Sequence, residues 1–267
     1  MIRSPRTSSS NCSLAALSRR HPRSALLAAV IVATLVAAGP AAAQGSGEGF
    51  LFRKPVGALV VHGGFASTTS SGDLYSFLID QFTLSKGDFR APAFGADLLV
   101  RVAPRVDLAF GGGVSGSKKA SEFRHFVDLN NLPIQQTTSL VRVPLTAGAR
   151  LYLAPQGRSI GEFAWIPNKV VPYVGAGGGM MWYRFRQTGD FIDFRTTNVF
   201  PDAFESSGWT PTAHALAGVD YSLSPRFALN GEARYTWAKG HLSDDFTGFN
   251  GIDLSDIGIN LGLNVRF

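Results

Sequence analysis

Charged side chains recur at alternate positions along several segments that are otherwise apolar or rich in glycine. Side chains that share one face of neighbouring strands would meet inside a closed fold, where an unpaired charge is costly. Two kinds of chemistry fit this pattern: a gated polar pathway, or a structural network of salt bridges, which is the favoured interpretation. The side chains that share this placement are Asp97, Arg101, Asp107, Arg142, Arg150, His214, Asp220, Glu232, Arg234 and Arg266.

Their positions along the predicted strands divide them into two groups. Acids and bases at comparable depths are expected to pair across a narrow interior and to close it. Nearer the short connections lie Asp97, Arg101, Asp107, Arg150, Asp220 and Arg266, and further along lie Arg142, His214, Glu232 and Arg234.

Other groupings of reactive residues predict little chemistry. Gly111-x-Gly113-x-x-Gly116 has the spacing of a dinucleotide-binding turn, but it lacks the helix and the later acid that such a turn requires. Histidines lie on separate segments without i+4 partners, and the acids of the last loop lack EF-hand spacing. No metal and no cofactor are predicted. Those acids and their neighbour are Asp244, Asp245, Asn250, Asp253 and Asp256.

The elements that carry these residues alternate with a period of two. In 257–267 every odd position is apolar, and every even position is Gly, Asn or Arg. The phase of the first and fifth segments is uncertain, and a bulge is expected among the glycines of the fifth. The eight segments are about 55–66, 94–102, 106–114, 139–153, 170–186, 213–223, 227–237 and 257–267.

Short and long connections alternate strictly between these segments. Short ones contain proline, at 103–105, 154–169 and 224–226, whereas long ones run about 68–88, 118–136, 188–208 and 240–253. This arrangement predicts an all-β fold: an eight-stranded antiparallel up-and-down transmembrane β-barrel with short periplasmic turns and four long external loops.

A soluble β-sandwich is the alternative for alternating strands. Its wetted face would be rich in Lys, Glu and Thr, whereas the polar face here is small, rich in glycine and charged with both signs. Aromatic residues near strand ends favour the barrel, because two membrane interfaces explain their placement. These aromatics are Tyr221, Phe227, Tyr235, Trp237 and Phe267.

Residues 1–43 have the pattern of a secretory signal peptide. Five arginines precede a short apolar run, Gly39-Pro40 and an Ala-x-Ala site, so cleavage is expected after Ala43. An uncleaved anchor is the alternative. A short lead (44–54) and the barrel (55–267) follow. The mature chain then holds 20 basic and 19 acidic residues and loses Cys12, which argues against nucleic-acid binding and disulfides.

The terminal strand carries a family resemblance. Its outward-facing residues Leu261, Leu263, Val265 and Phe267 resemble the assembly signal of bacterial outer-membrane proteins. Together with 171–179, they make the chain similar to the small outer-membrane β-barrels of the OmpA/OmpX type over about 55–267. The resemblance implies a bacterial outer-membrane location, contact with lipid and lipopolysaccharide, and recognition of the terminal strand by the barrel assembly machinery.

One segment suggests an enzyme. His241-Leu-Ser243 is similar to the His-x-Ser placement in outer-membrane lipid A deacylases, with Asp244 or Asp245 as the acid. Because the flanking residues of that family are not evident, a lipid A-modifying hydrolase is a remote alternative.

The predicted external loops are rich in aromatic residues. They either form a binding surface or pack among strand extensions, and the two interpretations are equally favoured. The residues are Phe77, Phe82, Phe123, Phe126, Phe191, Phe194, Phe200, Phe204, Trp209, Phe246 and Phe249.

These patterns together predict a non-enzymatic outer-membrane barrel with a largely filled lumen and a surface or structural role. The main alternative is a narrow, porin-like channel for small or apolar solutes. The pattern indicates no particular external ligand.

Overall fold

The computed structural model describes residues 46–47, 49–127, 131–161, 163–192 and 199–267. The predicted signal peptide, 1–43, lies outside the described residues. Within the described part of the chain, no helix is long and apolar enough to cross a membrane.

Strands dominate the described chain, and one α-helix lies in the first long loop. Two short 3-10 helices, Lys86–Phe89 and Asp244–Phe246, lie in the first and last loops. The elements are β1 (Ser46–Gly47), β2 (Phe50–Leu51), β3 (Gly57–Thr68), α1 (Asp73–Gln81), β4 (Arg90–Ala103), β5 (Val106–Val127), β6 (Pro133–Tyr152), β7 (Gly157–Ile160), β8 (Ala164–Pro167), β9 (Val170–Ile192), β10 (Val199–Ser222), β11 (Phe227–Gly240), β12 (Ile252–Asp253) and β13 (Asp256–Arg266).

Eight long strands form a closed antiparallel ring in the order β3-β4-β5-β6-β9-β10-β11-β13. The ring closes because the last strand pairs with the first, with Leu263 opposite Val61. Closure leaves the ring without an unpaired edge. In lipid, the unpaired N–H and C=O groups of an open edge would have no hydrogen-bond partners. The predicted eight-stranded antiparallel barrel is therefore confirmed.

Side chains alternate between an apolar exterior and a polar interior. On β13, Leu261 is 74% exposed, whereas Asn264, on the opposite face, is 2% exposed. The exposed apolar side chains form a belt around the barrel, as a lipid-facing wall requires. Members of this belt include Val61, Phe65, Phe94, Phe110, Val114, Leu145, Met180, Leu229, Ile259 and Leu263.

The structure settles the phase of the first and fifth strands. On β3, His62 faces inward and Val61 faces outward. On β9, pairing with β6 and β10 continues without a register shift through the glycines, so the expected bulge is wrong. Successive glycines leave both faces without side chains, which removes the apolar-polar contrast that reports phase.

A hydrophobic cluster closes the end of the barrel that carries the long loops. Leu74, Tyr75 and Leu78 of α1 pack with Tyr183 and inward-facing neighbours near the upper ends of the barrel strands. The Tyr75 hydroxyl donates to the Asp253 carbonyl oxygen at 2.9 Å, which ties the helix to the last loop. We call this group the external plug; it also contains Phe82, Leu84, Phe89, Phe123, Ile134, Leu140, Met181, Phe185, Ile192, Ala238, Phe246, Ile252 and Leu254.

Most of the loop aromatics therefore pack rather than form a free surface. Phe82, Phe123 and Phe246 are buried in the external plug. Phe77, Phe126, Phe204 and Phe249 pack partly against it, and Phe191 stacks edge-on with Phe204 at 4.5 Å. Phe200 and Trp209 remain exposed, and Phe194 lies outside the described residues.

A small sheet covers the opposite end of the barrel. Strands β1, β2, β8 and β7 pair in that order, so part of the predicted lead lies against the barrel's second connection. Trp165 of β8 is 2% exposed, and the Arg266 guanidinium stacks over its ring at 5.7 Å. The predicted connection from Ala154 to Lys169 is therefore a structured hairpin that closes the lumen.

Candidate functional site in the barrel interior

Two arginines and two carboxylates form a cluster across the middle of the lumen. Arg150 of β6 places Nη2 2.8 Å from Asp97 Oδ2 of β4 and 2.9 Å from Glu232 Oε2 of β11. Arg234 Nη2 contacts the same two acids, at 3.3 Å and 2.8 Å. The four side chains are balanced in charge, and we call them the central cluster.

Neutral polar side chains extend the central cluster toward the short-turn end. Tyr173 donates its hydroxyl proton to Glu232 Oε2 at 3.0 Å and accepts from the Asn230 amide at 2.8 Å. Asn230 also donates to Asp220, which accepts a further hydrogen bond from Asn264 at 3.1 Å. Amides and a hydroxyl therefore connect the buried Asp220 carboxylate to the ion pairs.

Two further arginines lie at the short-turn end. Arg101 Nε donates to Asp107 Oδ1 at 2.9 Å, and Gln156 donates to the other oxygen of that carboxylate at 3.2 Å. Arg266 donates to the Ser222 hydroxyl and stacks on Trp165. The charged interior is thereby joined to the sheet that covers this end.

A separate ion pair lies beneath the external plug. Arg142 Nη1 lies 2.7 Å from Asp256 Oδ2 and also donates to the Leu254 carbonyl oxygen at 3.2 Å. Arg142 is 2% exposed, so removal of its partner would leave a buried charge without compensation.

A cavity of about 70 Å³ lies between this pair and the central cluster, which is room for a few water molecules. His62 and His214 line it, and neither Nδ1 has a hydrogen-bond partner within the described residues. His62 Nε2 lies 3.7 Å from Asp97. The cavity also touches the wall residues Phe94 and Val114.

Inward-facing glycines provide the space that this network occupies. A Cβ atom at Gly111 would overlap the Asp97 carboxylate, and one at Gly218 would overlap the Tyr173 hydroxyl. At Gly177, a Cβ would lie 2.8 Å from the His214 ring. A side chain at any of these wall positions would therefore displace a polar side chain of the network.

The structure places all ten sequence-predicted lumen residues on the inner face, but it pairs them differently from the expectation. The sequence pattern predicts one depth for Asp97 and Arg150 and another for Glu232 and Arg234, yet the four form one cluster. Strands in a barrel are tilted and staggered, so positions at different distances from the turns reach the same height. His214 joins no ion pair within the described residues.

Several interior residues were missed by the sequence pattern. The pattern does not identify His62, because the phase of its strand is uncertain, and it does not identify Tyr173, because that residue lies in a segment with bulky apolar residues on both faces. Asp256 was grouped with the loop acids, but it pairs with Arg142. Its place at the start of an alternating strand is the signal that could have assigned it to the lumen.

Within the described residues, no hydrogen bond joins the Ser243 hydroxyl to His241. The Ser243 hydroxyl donates to the Glu205 carbonyl oxygen at 2.7 Å, so its proton is not shared with His241. The backbone carbonyl oxygen of His241 accepts a hydrogen bond from the Tyr183 hydroxyl. Within the described chain, no group of three His, Cys, Asp or Glu side chains is arranged to hold a metal ion.

The closed ring, its apolar belt and its polar interior define a small membrane-spanning β-barrel, the architecture found in bacterial outer membranes. The resemblance to small OmpA/OmpX-type barrels is thus confirmed at the level of fold. A barrel with this lipid-facing wall belongs in the outer membrane of a bacterium with two membranes.

Comparisons with known proteins place the chain beside such barrels only distantly. No family model and no curated protein matches it. Neisserial surface protein A is 14% identical with a TM-score of 0.42, over 79% of this chain and 97% of that one. OprG from Pseudomonas aeruginosa is 14% identical (TM-score 0.41, 80% and 98%), and Ail of Yersinia pestis is 15% identical (TM-score 0.38, 79% and 99%). The assignment therefore depends on this chain's own strand ring and belt.

Proposed function

We propose that this protein is a closed outer-membrane barrel with a structural or surface role, and that it is neither an open pore nor an enzyme. Nine of its ten predicted lumen residues act with Asp256 and Tyr173 as an internal brace, while the tenth, His214, lines the cavity. The single observation that carries the proposal is the contact of Arg150 with both Asp97 and Glu232, because these residues come from three separated strands of the ring.

Closure at three heights supports a non-conducting role. The external plug, the central cluster and the sheet around Trp165 succeed one another along the barrel. An eight-stranded barrel is only wide enough for its own side chains to fill. An ion that crossed the lumen along the barrel axis would have to displace the Arg142–Asp256 pair and the central cluster. Breaking buried ion pairs is costly.

Conductance of the refolded mature protein in a planar lipid bilayer tests this proposal. We expect a silent membrane at moderate voltage, with insertion verified by protease protection of the same sample. Discrete, reproducible openings of the unaltered protein would overturn the closed-barrel proposal.

A narrow channel for small or apolar solutes is the second candidate. The cavity beside His62 and His214 favours it, because it also reaches the outward-facing Phe94 and Val114. Next to it, the β5–β6 ladder is interrupted where Pro144 lacks an N–H group to donate. Uptake of a small apolar dye into vesicles, faster with the protein than without it, would favour this candidate.

Assembly into the outer membrane is proposed to use the terminal strand and a cleaved leader. Phe267 N donates to the Gly57 carbonyl oxygen at 3.0 Å, and Val56 N donates to the Phe267 carbonyl oxygen at 2.9 Å. The terminal residue thus joins the last strand to the first. Phe267→Ala should slow assembly by the barrel assembly machinery in cells yet permit refolding in detergent; equal loss in both would indicate a purely structural role.

The proposal of no catalysis has its own test. Lipid A from cells expressing the unaltered protein and from cells expressing His241→Ala should carry the same acyl chains. An acyl pattern that depends on His241 would restore the lipid A hydrolase and would overturn this part of the proposal.

A further inference from the structure

On the outward face of four neighbouring strands, apolar residues give way to polar and charged residues, with cations on β5 and β9. On β5, β6, β9 and β10, one row across the sheet contains Trp182 opposite Trp209, and the residues below it are apolar. Two residues further toward the long loops, Arg184 lies opposite Ser207, and the next outward row contains Arg186 opposite Glu205. Cations therefore begin directly above a pair of tryptophans.

The register brings a third cation into the same row. Lys118 of β5 pairs with Ser139, and Ser139 pairs with Arg186, so Lys118 and Arg186 lie two strands apart, roughly 10 Å. Arg184 and Arg186 are two residues apart on one face, roughly 7 Å. We call Lys118, Arg184 and Arg186 the basic row.

Three cations and two carboxylates, Glu205 and Asp245, lie together here, which leaves one positive charge in excess; Asp245 Oδ2 accepts a hydrogen bond from Glu205 N at 3.1 Å. Arg184 donates to both oxygens of Glu205 at 2.8 Å, and Arg186 approaches the same carboxylate at 3.8 Å. Lys118 makes no ion pair with the described residues. The side chains of Arg184 and Arg186 are nearly half exposed, so their remaining N–H donors are accessible to a ligand.

We propose that the basic row binds the phosphate group of a lipid in the leaflet on the long-loop side. This inference rests on the proposed function, since it requires that the apolar belt lies in the membrane. Tryptophans of barrels lie at the head-group level, and this places the basic row where lipid phosphates lie. Guanidinium groups bind phosphate through paired N–H donors, and the charge excess is complementary to a phosphate monoester.

Binding of lipid A to the refolded mature protein in phosphatidylcholine nanodiscs, followed by native mass spectrometry, tests this site. We expect R184Q/R186Q to bind lipid A about thirtyfold more weakly, since each of the two cations near a lipid surface contributes about 1 kcal/mol. We expect Glu205→Gln to bind more tightly, because it releases Arg184. A matched control, R105Q/R158Q, removes two exposed cations from the short-turn end and should bind as the unaltered protein does.

Two controls identify the source of the phosphate. Dephosphorylated lipid A should bind weakly and without dependence on the arginines. If inorganic phosphate displaced lipid A at the millimolar affinities of simple ion pairing, the site would bind phosphate from any source, and the lipid assignment would be overturned. Equal binding by R184Q/R186Q and the unaltered protein would overturn the inference entirely.

Failure of the inference and failure of the proposed function give different results. Insertion is measured in phosphatidylcholine vesicles without lipid A, by protease protection and by the faster gel migration of the unheated barrel. A protein that does not insert contradicts the proposed function. A protein that inserts but binds lipid A independently of the basic row contradicts the inference alone.

Discussion

Arg150 and Asp97 are 53 positions apart in the chain, but their side chains meet at 2.8 Å inside the barrel. The same guanidinium nitrogen lies 2.9 Å from Glu232. Because the three residues come from β6, β4 and β11, the contact links well-separated parts of the ring. The interior ion pairs therefore act as a cross-brace.

Glu232→Ala should destabilise the barrel by about 3–5 kcal/mol, since it leaves Arg150 buried with one acid fewer and removes the acceptor of Tyr173. The midpoint of urea unfolding in detergent measures this, and conductance of the same variant shows whether the arginines move aside. Asp202→Ala, at an exposed position, is the matched control. Unchanged stability together with unchanged conductance would contradict the cross-brace.

Arg142 and Asp256 should be energetically coupled. Each of R142M and D256N leaves a buried charge, whereas the double variant leaves none, so its loss should be smaller than the sum of the two. We expect a coupling of about 0.5–3 kcal/mol in a double-mutant cycle, measured by urea unfolding. Strictly additive losses would show that the 2.7 Å contact contributes no coupling.

Gly218→Ala should destabilise the barrel by about 1–3 kcal/mol, because the added methyl group meets the Tyr173 hydroxyl on the inner face. Gly231→Ala is the control, since its methyl group would lie 3.8 Å from Leu261 and Val219. Thermal unfolding midpoints of the two variants compare them directly. Equal effects would mean that interior crowding does not decide where glycine is required.

Acid should loosen the external plug through Asp253. Partial burial acts to raise the pKa of Asp253, but hydrogen bonds from Thr69, Ser255 and Ser71 outweigh it and hold that pKa below the ordinary 3.8. A lowered pKa stabilises the folded form above pH 3.8, and this contribution is lost as the pH falls from there through the folded pKa.

Amide hydrogen exchange in α1 measures this effect. Exchange corrected for its intrinsic pH dependence should accelerate as the pH falls below 3.8, and Asp253→Asn should flatten the response. A response that persists in Asp253→Asn would assign the acid sensitivity to another group.

The period-two alternation in the sequence predicts most of the fold. The alternation at Ile257 to Phe267 predicts which residues face lipid, because the strand period of two is local and needs no knowledge of neighbours. The alternation of short and long connections likewise predicts an even number of strands. The pattern does not assign His62 to the lumen, because the glycines after it weaken the alternation from which the inward face is predicted.

The alternation along each strand does not predict which side chains meet between strands. The Arg142–Asp256 pair joins residues 114 positions apart, and Asp256 lies beside loop acids that look equivalent to it. From the sequence, the aromatic loop residues are equally compatible with a surface and with a packed core. In the structure, Tyr75 and Leu78 of α1 share one buried cluster with several of them.

The sequence alone determined the strands, the inner and outer face of most of them, the number of strands and the lipid-facing belt, since each follows from local alternation along the chain. Tertiary structure alone decided which acid meets which arginine, how both ends of the lumen are closed and where Lys118, Arg184 and Arg186 align. The physical reason is that strand tilt and register set the relative height of residues on different strands, and no local pattern encodes that offset.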